Sequence, residues 1–351
     1  MNAGVIAAND AHWRAMGVTR LLDAGMRYDD VLGLRAGTDA GRMWDEVAEE
    51  LGDARTAQAL AAAEAGRAVT AHESHRAAAA CYLFAQMAFN FDTDRKRRLY
   101  ARFDDAVAAA AAHSPVPMRR VEAEFGAGAL TGWRLRPDAP RGTVVVFGGQ
   151  SGWGATYLRY ADALVARGLA VILAEGPGQG DSRLVHGVHL DVDVAAAFGV
   201  FVDLAKSDGP VGVWGNSVGG LFAALTAARH PGVTACCVNG SFAAPRLLEF
   251  RTFAEQAKAM LGRADDDAVI ANFARLRFDP AAEAIPCPLL VLHGGADPLV
   301  DLADQQPFLD AATDATLRIW DDGEHTIYNH ADERNALAAD WFAERLDGNR
   351  A

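Results

Sequence analysis

Over about the first 113 residues the apolar positions recur three and four apart, with scarcely a proline and no alternating β-branched run. That period predicts one helix after another. The stretches "AGRMWDEVAEELGDARTAQALAAAEAG", "SHRAAAACYLFAQMAFNF" and "DTDRKRRLYARFDDAVAAAAAH" are read as three of these helices, the first with Asp39 as its cap. Alanine-rich helices bury narrow stripes against their neighbours, so a structural helical layer is expected, without a repeat of fixed period.

At "HSPVPMRRVEAEF" two prolines mark a junction, after which the grammar changes. Short β-like runs follow: "RVEAEF", "LTGWRLRP", "GTVVVFGG", "LAVILAEG", "VGVWGN", "VTACCVNG", "CPLLVLHGG" and "TLRIWDDG". Helical segments such as "TYLRYADALVARG" and "VDVAAAFGVFVDLAKS" separate the later ones. Two polar-alternating strands followed by apolar strands alternating with helices predict an α/β class: a mostly parallel twisted sheet covered on both faces, with an antiparallel start. The expected organisation is a helical domain over 1–118 and an α/β domain over 119–351. In such sheets reactive groups gather at the carboxyl ends of the strands.

Composition narrows the partners. A net charge of −13, with no basic run longer than "DRKRR" at 94–98, gives no attraction for a phosphate backbone or an anionic lipid surface, so neither nucleic acid nor membrane is expected. The four cysteines lack C-x-x-C spacing, which argues against a zinc site or a disulfide framework and for a reducing cytoplasm. The start "MNAGVIAANDAHWRAM" has none of the parts of a secretory signal, and no apolar stretch approaches the roughly 18 to 20 residues of a membrane span. No His/Glu cluster at ligand spacing and no dinucleotide fingerprint is present, so no metal or organic cofactor is expected.

Candidate chemistry centres on Gly215-Asn216-Ser217-Val218-Gly219, a G-x-S-x-G run between the apolar "VGVW" and the helix-favouring "LFAALTAARH". A sharp turn there would lift the Ser217 hydroxyl above the sheet edge, at a helix end where backbone N–H groups are unpaired. A serine needs a base, and the base an orienting carboxylate. Asp297 lies in the turn after "LLVLHGG" and His325 in the turn after "TLRIWDDG", both at the same edge. Asp301 and His330 are the competing choices but fall further from their strand ends, and His293 reads as a structural residue. Oxyanion donors are expected from the Val218 N–H and from "FGGQSGWG", where Gly149 and Gln150 are alternatives. "AEGPGQGDS" is read as a tight connection bordering the site.

Taken together, Ser217, Asp297, His325, the "FGGQSGWG" turn and "EGPGQG" resemble the α/β-hydrolases. More narrowly, the helical amino-terminal region resembles the group containing 2,6-dihydropseudooxynicotine hydrolase, the fungal polyketide-shortening hydrolases and the fermentation-respiration switch protein. The resemblance implies a homodimer, a helical unit that helps to close the site, a lid inserted at 241–285, and cleavage of a carbon–carbon bond beside a ketone. It also implies a role for a glutamate after the sixth strand, which maps to Glu249, or to Glu255, unless Glu249 is one solvated face of a lid helix. Trp153, Tyr157, Phe242 and Phe250 are candidate walls for an apolar or aromatic substrate, although aromatics serve equally as core. The substrate is expected to be a small ketone or ester. A carboxylesterase or thioesterase and a non-catalytic binding member of the fold stand as alternatives.

Overall fold

The computed structural model describes residues 3–263 and 265–347. It divides into two compact units, Met1–Met118 and Arg119–Ala351. In the first, the described residues form helices α1 (Ala3–Ala15), α2 (Val18–Asp23), α3 (Tyr28–Asp39), α4 (Trp44–Glu64), α5 (Ala68–Gln86) and α6 (Asp94–Ala112). Small residues set their spacing: a Cβ on Gly52 of α4 would stand 2.5 Å from the Tyr82 ring of α5. Buried Lys96 finds oxygen partners in the Gln86 side chain at 2.5 Å and the Phe89 carbonyl at 2.8 Å.

Asp39 does not cap α4. It is the last residue of α3, paired with Arg35, and the residue before α4 is Met43, without a side-chain cap bond. The reason is Gly41, whose φ of +82° ends α3. Its N–H bonds back to the Thr38 carbonyl and that of Arg42 to the Gly37 carbonyl, the usual glycine stop at a helix carboxyl end.

In the second unit the described strands are β1 (Met118–Phe125), β2 (Gly128–Leu135), β3 (Thr143–Phe147), β4 (Ala170–Glu175), β5 (Val211–Asn216), β6 (Val233–Asn239), β7 (Leu289–Gly294) and β8 (Ala315–Trp320). They form one sheet in the order β1-β2-β4-β3-β5-β6-β7-β8. β2 pairs antiparallel with β4, and from β4 onward every pairing is parallel, as the alternation predicts. Helices α7 (Leu158–Val165), α8 (Gly180–Leu184), α9 (Val194–Ala205), α10 (Val218–Arg229), α11 (Arg251–Leu261), α12 (Asp266–Leu276), α13 (Leu302–Asp310) and α14 (Ala331–Arg345) connect and cover them.

The period of two along β5 explains the layers. Val211 and Val213 join the core of Phe198, Phe201 and Phe222 from α9 and α10, whereas Gly212 and Trp214 face Phe342 of α14. Every residue of β3, β4, β5 and β7 is buried, which is why these strands read as continuous apolar runs. The four cysteines are free and buried, and burial raises their thiol pKa values. No helix among the described residues is long and apolar enough to cross a membrane.

The inserted helices α11 and α12 lie between β6 and β7, but α11 starts at Arg251, later than the apolar run from Leu247 suggests. Arg246 ties the preceding segment to Asp304 of α13 at 2.8 Å, and residues 247–250 follow as irregular chain.

Candidate active site

The strand order reverses at β3: the chain steps to β4 on one side and then to β5 on the other. The loops leaving the carboxyl ends of β3 and β5 therefore diverge and leave a crevice, the usual place for a ligand in open α/β sheets. The loop after β3 is "GGQSGWG", and the turn after β5 carries Ser217.

Ser217 sits at φ 55°, ψ −132° between β5 and α10. A non-glycine residue held there costs roughly 1–3 kcal/mol, so its surroundings must enforce it. They do so by close backbone approach. A Cβ on Gly215 would stand 2.0 Å from the Gly219 carbonyl oxygen, and one on Gly219 would stand 2.4 Å from that of Gly148. Both glycines of the run are thus required by contact. The Ser217 N–H donates to the Asn239 carbonyl at 2.9 Å, anchoring the turn to β6.

Three side chains distant in sequence meet above this turn. His325 Nε2 lies 3.0 Å from Ser217 Oγ, and His325 Nδ1 lies 2.8 Å from Asp297 Oδ2. A carboxylate only accepts, so Nδ1 carries the proton and Nε2 is left to accept from the serine hydroxyl. The other Asp297 oxygen accepts from the N–H groups of Leu299 at 2.8 Å and Val300 at 3.2 Å. The Asp297 side chain is fully enclosed, while His325 keeps 15% of its side chain exposed.

The histidine loop is itself strained: Thr326 and Ile327 have φ of +50° and +64°. The buried Thr326 carbonyl is gripped by Arg334 Nη1 at 2.7 Å and Asn239 Nδ2 at 3.2 Å. Asn239 Nδ2 also donates to Asn216 Oδ1 at 2.8 Å, so one asparagine joins the serine turn to the histidine loop. The sequence reading passed over Asn216, Asn239 and Arg334. The available signal was an asparagine ending an otherwise apolar, buried strand, twice, in "VGVWGN" and "VTACCVN".

Beside Ser217, a Cβ on Gly149 would come within 3.1 Å of the serine Cβ and 3.6 Å of its Oγ. The Gly149 N–H donates to Tyr157 Oη at 3.3 Å, and that hydroxyl donates to the Gly152 carbonyl at 3.3 Å. Neither the Gln150 N–H nor the Val218 N–H has a hydrogen-bond partner among the described residues. Val218 opens α10, where first-turn N–H groups lack intrahelical acceptors.

Comparison with known proteins bears on the fold. The family described as "Serine aminopeptidase, S33" matches residues 138–275. The curated 2,6-dihydropseudooxynicotine hydrolase of Paenarthrobacter nicotinovorans is 25% identical over 338 residues, 93% of this chain and 91% of the relative. A crystal structure titled as the 2,6-dihydroxy-pseudo-oxynicotine hydrolase superposes with a TM-score of 0.85 at 24% identity, covering 94% of this chain and 96% of the other. This chain has the α/β-hydrolase fold. The fold is also shared with the structure titled AbyA5, at a TM-score of 0.69 and 19% identity over 86% of this chain and 89% of that one.

The remaining candidates take other places. Asp301 caps α13, and His330 pairs with Asp322 at 2.8 Å, so neither competes for the serine. His293 is buried and accepts from Gln305 Nε2 at 2.9 Å, and burial lowers its pKa. Trp153 is buried and donates to the Gln150 carbonyl at 3.0 Å, so it braces the loop after β3. Phe242 is packed into the core, and Phe250 is exposed. Glu249 stands exposed in the irregular chain before α11, not on a helix face, and Glu255 pairs with Arg251 at 3.7 Å within α11. Among the described residues no group of three or more His, Cys, Asp or Glu is arranged to hold a metal.

Proposed function

We propose that this hydrolase cleaves a carbon–carbon bond beside a ketone through an acyl-enzyme on Ser217. The observation that carries the reading is the relay of 3.0 Å and 2.8 Å from Ser217 through His325 to Asp297. Support for a ketone comes from the curated relative, which is named as a 2,6-dihydropseudooxynicotine hydrolase.

On this reading His325 Nε2 takes the Ser217 proton as Oγ bonds to the ketone carbon. The carbonyl electron pair moves to oxygen, where the N–H groups of Val218 and the loop after β3 stabilise it. Collapse of the tetrahedral adduct breaks the carbon–carbon bond; the pair leaves on carbon, and the imidazolium delivers its proton there. Water, deprotonated by His325, then attacks the acyl-serine and releases a carboxylic acid with free Ser217. The departing electron pair must be stabilised by a second carbonyl, so the substrate class is a β-diketone or an acylated hydroxyaromatic whose keto tautomer supplies that carbonyl. The helical unit 1–118 acts as a cap and dimer-forming element, and 241–285 as a lid.

The test compares purified enzyme on such ketones with simple aryl esters, using Ser217→Ala as a control. Ketone cleavage abolished by the alanine variant, with one labelled oxygen entering the acid in ¹⁸O-water, is the expected result. Fast ester turnover with inert ketones would replace the reading with an esterase on the same relay.

A further inference from the structure

The "EGPGQG" connection after β4 contains the most fully engaged side chain near the serine that the mechanism above does not use. Gln179 has no exposed surface. Its Oε1 accepts from the Gly176 N–H at 2.9 Å. Its Nε2 donates to two successive carbonyls of the facing loop, Gly148 at 2.7 Å and Gly149 at 3.0 Å. The carboxamide is thus fixed at both ends, and its orientation follows: the acceptor end is taken by Gly176, so the amino group must face the loop after β3.

Those two bonds decide which way the loop's peptide groups point. No peptide bond among the described residues is cis, and in a trans peptide the C=O and the N–H that follows it point in opposite directions. With the Gly148 carbonyl drawn to Gln179, the Gly149 N–H turns away and is taken up by Tyr157 Oη. With the Gly149 carbonyl drawn the same way, the Gln150 N–H also turns away, and it has no partner among the described residues. Rotation of that peptide would replace a donor with a carbonyl oxygen, which repels a developing oxyanion, and would have to break the bond to Gln179.

Gln179 is held in turn by its own chain. Glu175, buried at the end of β4, accepts from the Asp181 N–H at 3.0 Å and from the Thr131 hydroxyl at 2.7 Å. Gly180, at φ +46°, packs against that carboxylate so closely that a Cβ would lie 2.1 Å from its Cδ.

We propose that Gln179 is a positioning residue that locks the Gly149–Gln150 peptide with the Gln150 N–H as the second oxyanion donor. This rests on the serine-relay reading above. The decisive variant is Gln179→Met, which keeps the volume and removes both donors. Its kcat/KM on an aryl ester should fall by about 10²–10³, the usual effect of losing one oxyanion donor, with KM within about threefold of wild type. A boronic acid, which forms a tetrahedral adduct on the serine, should lose affinity in parallel, whereas a planar product-like acid should not. Folding is checked by thermal unfolding. If Gln179→Met does not fold, Gln179→Glu, which keeps the acceptor for Gly176 but faces the loop with an oxygen, takes the same measurements. Boronate affinity within about threefold of wild type in the folded variant overturns the inference. Ser217→Ala separates the two levels: full activity without that hydroxyl removes the relay itself. Loss of activity there, beside unchanged boronate binding in the Gln179 variant, removes only the lock.

Discussion

Arg334 offers a sharp test of how His325 is held, because it is fully buried and donates to the Thr326 carbonyl of the histidine loop. Thr326 and Ile327, at φ +50° and +64°, each carry roughly 1–3 kcal/mol of backbone strain, or about 2–6 kcal/mol for the pair. Against this stand the charged bond from Arg334 at 2.7 Å, about 1.5–3 kcal/mol, and the neutral bond from Asn239 at 3.2 Å, about 0.5–1.5 kcal/mol. Grip and strain are of the same order, so losing the stronger donor lets the loop relax and carries His325 Nε2 away from Ser217. Arg334→Met should therefore lower kcat/KM by about 10- to 150-fold, the kinetic equivalent of 1.5–3 kcal/mol. Arg334→Lys, which keeps a cation within reach, should restore part of it. The assay is steady-state hydrolysis of an aryl ester, well below the unfolding midpoint, with urea denaturation alongside. Removing this buried donor leaves the Asn335 side-chain oxygen unpaired at a cost of about 1–3 kcal/mol in stability, so activities are compared under conditions where both enzymes are folded. An Arg334→Met enzyme with at least half the wild-type kcat/KM would refute the reasoning.

Gly215→Ala places a methyl 2.0 Å from the Gly219 carbonyl oxygen, and rigid backbone on both sides leaves it nowhere to go. Overpacking of about 1–3 kcal/mol and at least tenfold loss of activity are expected, measured by thermal unfolding and ester hydrolysis. Gly17→Ala, with nothing within 4 Å, is the control that should change neither. For pH, burial holds the His293 imidazole below its usual value, outweighing the opposing pull of Asp297 and Asp301. The unfolded chain then binds a proton near pH 6.5 that the native one does not, so stability falls as pH drops below about 6.5 toward the native value. His293→Gln should flatten the fall in urea midpoint between pH 7.5 and 5.5; an unchanged slope would remove His293 as its source.

Much of this architecture was legible in the chain because it is written locally. β3, β4, β5 and β7 announce themselves as apolar runs since both their faces are covered; Ser217 and Asp297 could be chosen because each lies in the turn after such a run, and His325 because it lies in the turn after the half-exposed β8. Asp39 misled because a helix stop at Gly41 and a helix start at Trp44 lie so close that one aspartate suits either. Gln179, Asn239 and Arg334 were invisible for a different reason. They act on backbone carbonyls of loops 30, 87 and 8 positions away, and a carbonyl has no letter in the sequence. Glu249 rests on likeness alone: it stands exposed in irregular chain before α11, and no local pattern marks it out.

The wide spacing of the relay also bears on how the molecule is made. Ser217 precedes its hydrogen-bond partner His325 by 108 positions. At about 5–20 residues per second a ribosome needs about 5–20 s to cross that interval. Throughout that time the emerging polypeptide carries a bare alcohol with nothing to draw off its proton. On the proposed function, a translation product cut short before the turn that follows β8 is born harmless to the acyl compounds around it.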